Sequence, residues 1–308
     1  MSTRLSKIST TVRNIAQLYA LRIGFLVGSW LAPEATIRRA ARLFTTPFKS
    51  TRTRALAAPT LGAREETLVV DGVAIETYVW GDPHMQPYVL FAHGWSSHGT
   101  RIAPWVAPLQ AAGYAVVAFD QAAHGKSSGT HATLPDFACY LLAVGHHYGP
   151  AAAVIGHSLG GAATAIALAR GLAAERAILL APAADPVAAV DRFARFVWMA
   201  AWLNRRMFAI FEKSTRVVAD EMQAHTNAPQ IGHPALIVHD VEDREVPWSE
   251  GERYARYWAD SRLISTRGLG HNRVADDQSV IAAALRFLRG ETVGDRVVSS
   301  PNLPYGFA

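Results

Sequence analysis

Apolar and polar positions change rhythm along the chain, and the changes mark its elements. Residues 67–70 and 73–80 flank Asp71-Gly72, and Val73, Ile75, Thr77 and Val79 alternate with the opposite face. That pattern predicts a β-hairpin closed by a two-residue turn. Runs at 88–92, 115–119, 152–156, 176–181, 234–239 and 263–266 are almost continuously apolar, as in strands buried on both faces. Helical stretches near 102–112, within 135–147, and at 159–172, 249–258 and 277–289 alternate with them. Strands and helices in this order predict an α/β fold with a mainly parallel sheet covered on both faces. The hairpin adds antiparallel edges, and ligands are expected beyond the C-terminal strand ends.

Three stretches break the alternation. Residues 185–230 show no strand pattern and are dense in Phe193, Phe196, Trp198, Trp202, Phe208 and Phe211. A helical cap fits that length, most aromatics forming its own core and two or three facing substrate. At the N-terminus, residues 15–31 are mostly apolar but interrupted by Gln17 and Arg22, with Gly24 and Gly28 weakening the helix. On a helix, Val12, Ala16, Tyr19, Ile23, Leu26 and Trp30 share one face. Pro33-Glu34 opens a second helix with Ile37, Ala41 and Phe44 on one side and Arg38, Arg39 and Arg42 on the other. Such a hairpin can lie on a membrane surface or pack on a domain. A central arginine costs about 2.5–3.5 kcal/mol on insertion, which argues against a span. The expected organisation is a basic helical extension over 1–60, an α/β core over 61–184 and 231–290, the cap over 185–230, and a flexible tail over 291–308.

Charge sharpens this division. The chain of 308 residues carries +5 overall, yet residues 1–64 hold eleven bases against the single acid Glu34. That leaves +10 on the N-terminal arm and −5 on the remainder, an attached basic arm rather than a basic enzyme. No zinc-finger spacing or RNA-binding motif accompanies the charge, so no nucleic-acid partner is expected. Peripheral contact with an anionic membrane is the partner the arm suggests. The one cysteine, Cys139, excludes an intramolecular disulfide and fits a cytoplasmic, membrane-associated setting. It is expected as a small buried hydrophobe in its helix.

The candidate chemistry centres on Gly156-His157-Ser158-Leu159-Gly160, placed between an apolar strand and an Ala-rich helix. A sharp strand-to-helix turn lifts a serine hydroxyl clear of the sheet at a helix N-terminus. His271 lies in the glycine-rich loop Gly268-Leu269-Gly270-His271 after the last strand, and Asp243 follows the strand ending at Asp240. From about residue 66 to 289 the chain resembles the α/β-hydrolase superfamily, with its motifs in that family's order. The resemblance implies Ser158 as nucleophile, His271 as base and Asp243 as the orienting acid, with Asp240 a decoy and Asp185 the runner-up. It also implies backbone oxyanion donors at Leu159 and at Trp95, in the loop His93-Gly94-Trp95-Ser96. There His93 braces the loop, and the Trp95 indole and Ser96 are expected to line the acyl pocket. The loop Asp120-Gln121-Ala122-Ala123-His124-Gly125-Lys126-Ser127 resembles another family segment, with Asp120 a brace. It departs from the family pattern at Ala122 and Ala123, and an alanine where glycine is usual implies a relaxed backbone there.

His146-His147, His225, His233 and His239 lack ligand spacing, so no metal is expected, and no glycine-rich phosphate loop implies a nucleotide cofactor. The resulting expectation is a cofactor-free serine hydrolase cleaving a small-molecule carboxylic ester with an apolar acyl group. A thioesterase, amidase, peptidase or acyltransferase would use the same parts. A non-catalytic ligand-binding homologue is the reading from another class.

Overall fold

The structure, a computed structural model, describes residues 2–297, with backbone alone for 2–12 and 14. The chain opens with α1 (Ser2–Leu31), α2 (Pro33–Phe44) and α3 (Lys49–Ala57), and then enters strands β1 (Arg64–Val70), β2 (Val73–Trp80) and β3 (Tyr88–Ala92). Next come α4 (Ala103–Ala111), β4 (Ala115–Phe119), α5 (Leu134–Tyr148), β5 (Ala153–His157), α6 (Leu159–Ala169) and β6 (Ala177–Leu180). Helices α7 (Pro186–Val197), α8 (Asn204–Thr215) and α9 (Ala224–Asn227) precede β7 (Ala235–Asp240) and α10 (Trp248–Tyr257). Strand β8 (Ser261–Thr266), α11 (Gly270–Arg273) and α12 (Gln278–Leu288) complete the order.

The strands form one sheet in the order β1-β2-β4-β3-β5-β6-β7-β8. Pairs from β4 to β8 are parallel, while β1–β2 and β2–β4 are antiparallel. Every residue of β3, β4, β5, β6 and β7 is buried, so their unbroken apolar runs follow from having helices on both faces. The hairpin turn takes positive φ at both Asp71 and Gly72, as a two-residue turn between right-twisted strands requires. Helix α5 starts at a capping box in which Thr133 and Asp136 satisfy each other's amides.

The described chain divides into two compact units. The larger holds Thr46–Asp185 and the chain from Asp220 on; the smaller holds the chain to Thr45 with Pro186–Ala219. Two boundaries thus differ from the sequence expectation. Residues 46–60 go with the α/β unit because Arg52 donates to the carbonyls of Ser127 at 2.7 Å and Gly129 at 3.3 Å. The Trp80 indole also donates to the Thr60 carbonyl at 3.0 Å. Residues 220–230 go with it too, through Ala224 N–H on the Ala184 carbonyl at 3.0 Å.

In the smaller unit the N-terminal hairpin and the inserted helices share one core. Phe44 of α2 packs its ring 5.2 Å from Phe193 and 5.6 Å from Phe211. Arg22 donates to the Phe196 carbonyl at 2.8 Å, the buried Ser29 hydroxyl accepts from Ala200 N–H at 3.1 Å, and Arg206 pairs with Glu34. Met199, Met207 and Phe208 are buried, while Phe196, Trp198 and Trp202 are exposed. The apolar face read from the periodicity of α1 is turned outward: Tyr19, Ile23, Leu26 and Trp30 are exposed, and Phe25 and Ser29 are buried instead. Val12 lies outside the described side chains. No helix among the described residues is long and apolar enough to cross a membrane.

Two smaller expectations are corrected. Cys139 is exposed, on the side of α5 opposite Phe137, Ala138 and Leu141. The tail does not lose order at 291. Val293 is buried and Asp295 exchanges two backbone hydrogen bonds with Leu263, at 2.8 and 2.9 Å, extending the sheet past β8. Residues 298–308 lie outside the described residues.

Candidate active site

Ser158 sits between β5 and α6 with φ +55° and ψ −119°, a conformation that L-residues avoid. The surroundings hold it there. Its N–H donates to the Leu180 carbonyl at 2.9 Å and its carbonyl accepts from Gly161 N–H at 2.9 Å. A Cβ on Gly160 would stand 2.1 Å from the Ala92 carbonyl oxygen, and one on Gly156 would stand 2.6 Å from the Gly160 carbonyl oxygen. Both contacts are with backbone, so glycine is what lets strand and helix meet this closely.

The structure brings Ser158, His271 and Asp243 into one line. The serine Oγ lies 2.9 Å from His271 Nε2, and His271 Nδ1 lies 2.7 Å from Asp243 Oδ2. Both distances fall within reach of proton transfer and orientation. Asp243 Oδ1 accepts from Glu245 N–H at 2.8 Å and Val246 N–H at 3.0 Å. Burial alone would raise the Asp243 carboxyl, but hydrogen bonds from His239 and His271, the His271 charge and the Val246 amide hold it well below the usual carboxylate range. Asp240 instead braces the His271 loop, accepting from Thr266 Oγ1 at 2.8 Å and Leu269 N–H at 2.9 Å. Asp185 pairs with Arg253 at 3.1 Å and accepts from Gln223 at 3.0 Å.

The loop after β3 passes against the serine: a Cβ on Gly94 would lie 2.9 Å from Ser158 Cβ. Trp95 follows in that loop, and Leu159 opens α6, where a helix leaves its first amides without internal acceptors. The loop is pinned from several sides. His93, fully buried, donates from Nδ1 to the Gly94 carbonyl at 2.7 Å and accepts Gln121 N–H at Nε2 at 2.9 Å. His124 donates from Nδ1 to the Ala122 carbonyl at 2.9 Å and accepts Ser96 N–H at 3.1 Å. Ser96 Oγ accepts Phe48 N–H at 3.1 Å, and the Trp95 indole packs 5.1 Å from His124 and 6.2 Å from Phe137. The indole and Ser96 thus help to brace the loop while both stay partly exposed. Asp120 accepts from Gly99 N–H at 2.7 Å, Tyr78 at 2.8 Å and Lys126 N–H at 2.8 Å. The expected relaxation at Ala123 is absent. Its φ is +67°, so the alanine holds the left-handed geometry that glycine would take more easily.

Two histidines near Ser158 and Asp243 escaped the sequence reading, which weighed His239 only as a metal ligand. His239 Nε2 donates to the Val246 carbonyl at 3.0 Å and lies 3.3 Å from Asp243 Oδ2, close enough to favour the ionised carboxylate. His157, preceding the serine, donates from Nε2 to the His271 carbonyl at 3.0 Å. Burial, followed by the His271 charge, pushes His157 down to about 3. The four-residue spacing of His239 and Asp243 across a strand end was the available signal. Among the described residues no group of His, Cys, Asp and Glu could hold a metal ion.

A family model described as serine aminopeptidase, S33, matches residues 83–217, a span that includes Ser158 and ends before Asp243. No curated protein matches by sequence. Among solved structures, a thioesterase domain from the curacin biosynthetic pathway is 20% identical, with a TM-score of 0.54 over 74% of this chain and 99% of its own. An esterase from Exiguobacterium antarcticum is 17% identical, with a TM-score of 0.57 over 73% of this chain and 100% of its own. A membrane phospholipase A, described as a bacterial virulence factor, is 18% identical, with a TM-score of 0.57 over 92% of this chain and 98% of its own. The sheet order and these structural likenesses show an α/β-hydrolase fold, and the family model that matches residues 83–217 is that of a hydrolase family.

Proposed function

We propose that the protein is a serine hydrolase that cleaves a carboxylic ester through an acyl-enzyme on Ser158. The observation that carries this reading is the relay from Ser158 Oγ to His271 Nε2 at 2.9 Å and from His271 Nδ1 to Asp243 Oδ2 at 2.7 Å. Ser158 Oγ attacks the ester carbonyl carbon while His271 takes its proton. The tetrahedral intermediate carries its charge on the former carbonyl oxygen, facing the amides of Trp95 and Leu159. Collapse expels the alkoxide, which receives the proton from His271. Water then attacks the acyl-enzyme with His271 again as base, releasing the acid and restoring the serine hydroxyl.

Asp243 keeps the His271 tautomer that leaves Nε2 free to accept. Asp243→Asn is expected to lower kcat about 10⁴-fold with little change in KM, because the geometry survives and the tautomer does not. Steady-state kinetics of the pure variant check this. The thioesterase and aminopeptidase likenesses favour thioesters or peptides as the second reading, since both use the same parts. The test is labelling by a fluorophosphonate probe, together with hydrolysis of p-nitrophenyl esters from acetyl to palmitoyl and of matched thioesters and anilides. Labelling that Ser158→Ala abolishes, with esters turned over fastest, is expected. Absence of labelling would leave a ligand-binding role. Faster thioester or anilide turnover would replace the ester.

A further inference from the structure

Independently of the substrate, we propose that the smaller helical unit is a docking surface for an anionic lipid bilayer. The first observation is an uncovered apolar stripe. Along α1, Tyr19, Ile23, Leu26, Val27, Trp30 and Leu31 are all exposed, Trp30 at 70% and Leu31 at 80%. Their spacing keeps them on one side of the helix, while Phe25 and Ser29 on the other side are buried against the unit's own core. Monomeric proteins rarely leave so contiguous an apolar face to water.

The second observation extends the stripe onto the inserted helices. Trp198 lies edge-on to Tyr19 at 5.8 Å and Trp202 lies 6.1 Å from Trp30, and both tryptophans are themselves exposed. Tryptophan and tyrosine favour the boundary between headgroups and acyl chains, where the ring is buried and the N–H or O–H stays wet. Arg22 stacks within 5.2 Å of the Trp198 ring and Arg206 within 5.9 Å of the Trp202 ring, placing cations at the level of the aromatics.

The third observation is charge. The stretches 1–45 and 186–219 together hold thirteen Lys and Arg against Glu34, Asp191 and Glu212, a net +10, while the rest of the chain carries −5. The unit that carries the apolar stripe is therefore strongly basic in its own right, with the inserted helices supplying six of its thirteen bases. A second copy of this chain would bring one +10 unit against another, which Coulomb repulsion opposes. A nucleic acid would satisfy the charge but leave the apolar stripe in water. An anionic bilayer satisfies both, with α1 lying in the interface plane.

The test is flotation of the full chain with phosphatidylglycerol-containing vesicles, with pure phosphatidylcholine vesicles, and with both at 50 and 500 mM NaCl. Flotation with the anionic vesicles, weakened by salt and at least about tenfold weaker on phosphatidylcholine, is expected. The variant Ile23→Ser/Trp30→Ser/Leu31→Ser changes only exposed side chains, so its circular dichroism and melting should match wild type. Its partitioning onto anionic vesicles should fall at least about tenfold. Failure of the wild type to float, or equal flotation of the variant, would overturn the proposal. So would a vesicle-free dimer that the variant converts to monomer while lipid fails to bind, since a second copy would then cover the face. Equal binding to both vesicle types would overturn the electrostatic part.

Discussion

Ser158→Ala is expected to lower ester turnover on the order of 10⁶-fold, about 8 kcal/mol of transition-state stabilisation, while the fold stays intact. The two effects separate because of where the serine sits. Its backbone holds φ +55° under hydrogen bonds made by its own N–H and C=O, which alanine makes equally well. What alanine removes is the oxygen 2.9 Å from His271 Nε2, and with it the covalent route. The residual rate should exceed that in water, because the loop amides and the binding site remain. Ser158→Gly provides a sharper contrast. It should be as inactive, yet more stable by about 1 kcal/mol, since glycine takes the positive φ without steric cost. Turnover is measured with a p-nitrophenyl ester and stability by thermal melting. A Ser158→Ala enzyme retaining more than a few per cent of activity would remove the serine from the mechanism.

Much of the α/β core could be read from the chain because two-sided burial leaves a local trace. Five central strands are apolar at nearly every position, and the turn at Asp71-Gly72 declares its geometry through residue type. Ser158, His271 and Asp243 stand out as candidates through a glycine-flanked turn and two loops after strand ends, and their roles come from the resemblance those motifs carry. What stayed hidden depends on partners distant in sequence. The stripe through Tyr19, Ile23 and Trp30 is plain as a periodicity, but periodicity does not say whether protein, water or lipid covers it. The attachment of α3 rests on Arg52 reaching carbonyls at Ser127 and Gly129, some seventy-five residues away. Ala123 shows the reverse case. The sequence there suggested relaxation, whereas the loop between Asp120 and Ser127 is fixed by so many hydrogen bonds that alanine adopts the left-handed geometry.

Those hydrogen bonds predict a second large effect, on stability rather than rate. Lowering the pH from 7 to 5 is expected to destabilise the fold by about 4 kcal/mol through His124 and His157 alone. Burial, partly offset by the Ala122 carbonyl, holds His124 down to about 4; burial and the His271 charge hold His157 down to about 3. The geometry explains why the protonated forms are disfavoured. His124 uses its bare Nε2 to accept Ser96 N–H, and adding a proton there would set two donors face to face. The bare Nδ1 of His157 is buried with no hydrogen-bond partner, so a new N–H would find no acceptor. Fully buried His93, whose Nε2 accepts Gln121 N–H, is also lowered well below its ordinary value, first by burial, and adds in the same direction. Because the folded values lie below the unfolded value of 6.5, the unfolded chain takes up protons that the folded chain refuses. Stability is therefore full above pH 6.5 and is lost as the pH falls through 6.5 toward 4. The loss corresponds to a drop in Tm on the order of 10 °C, measurable by calorimetry at constant ionic strength. A Tm unchanged between pH 7 and 5 would mean that these rings already carry protons in the fold, and that the loop from His93 to Ser96 is not held by imidazole acceptors.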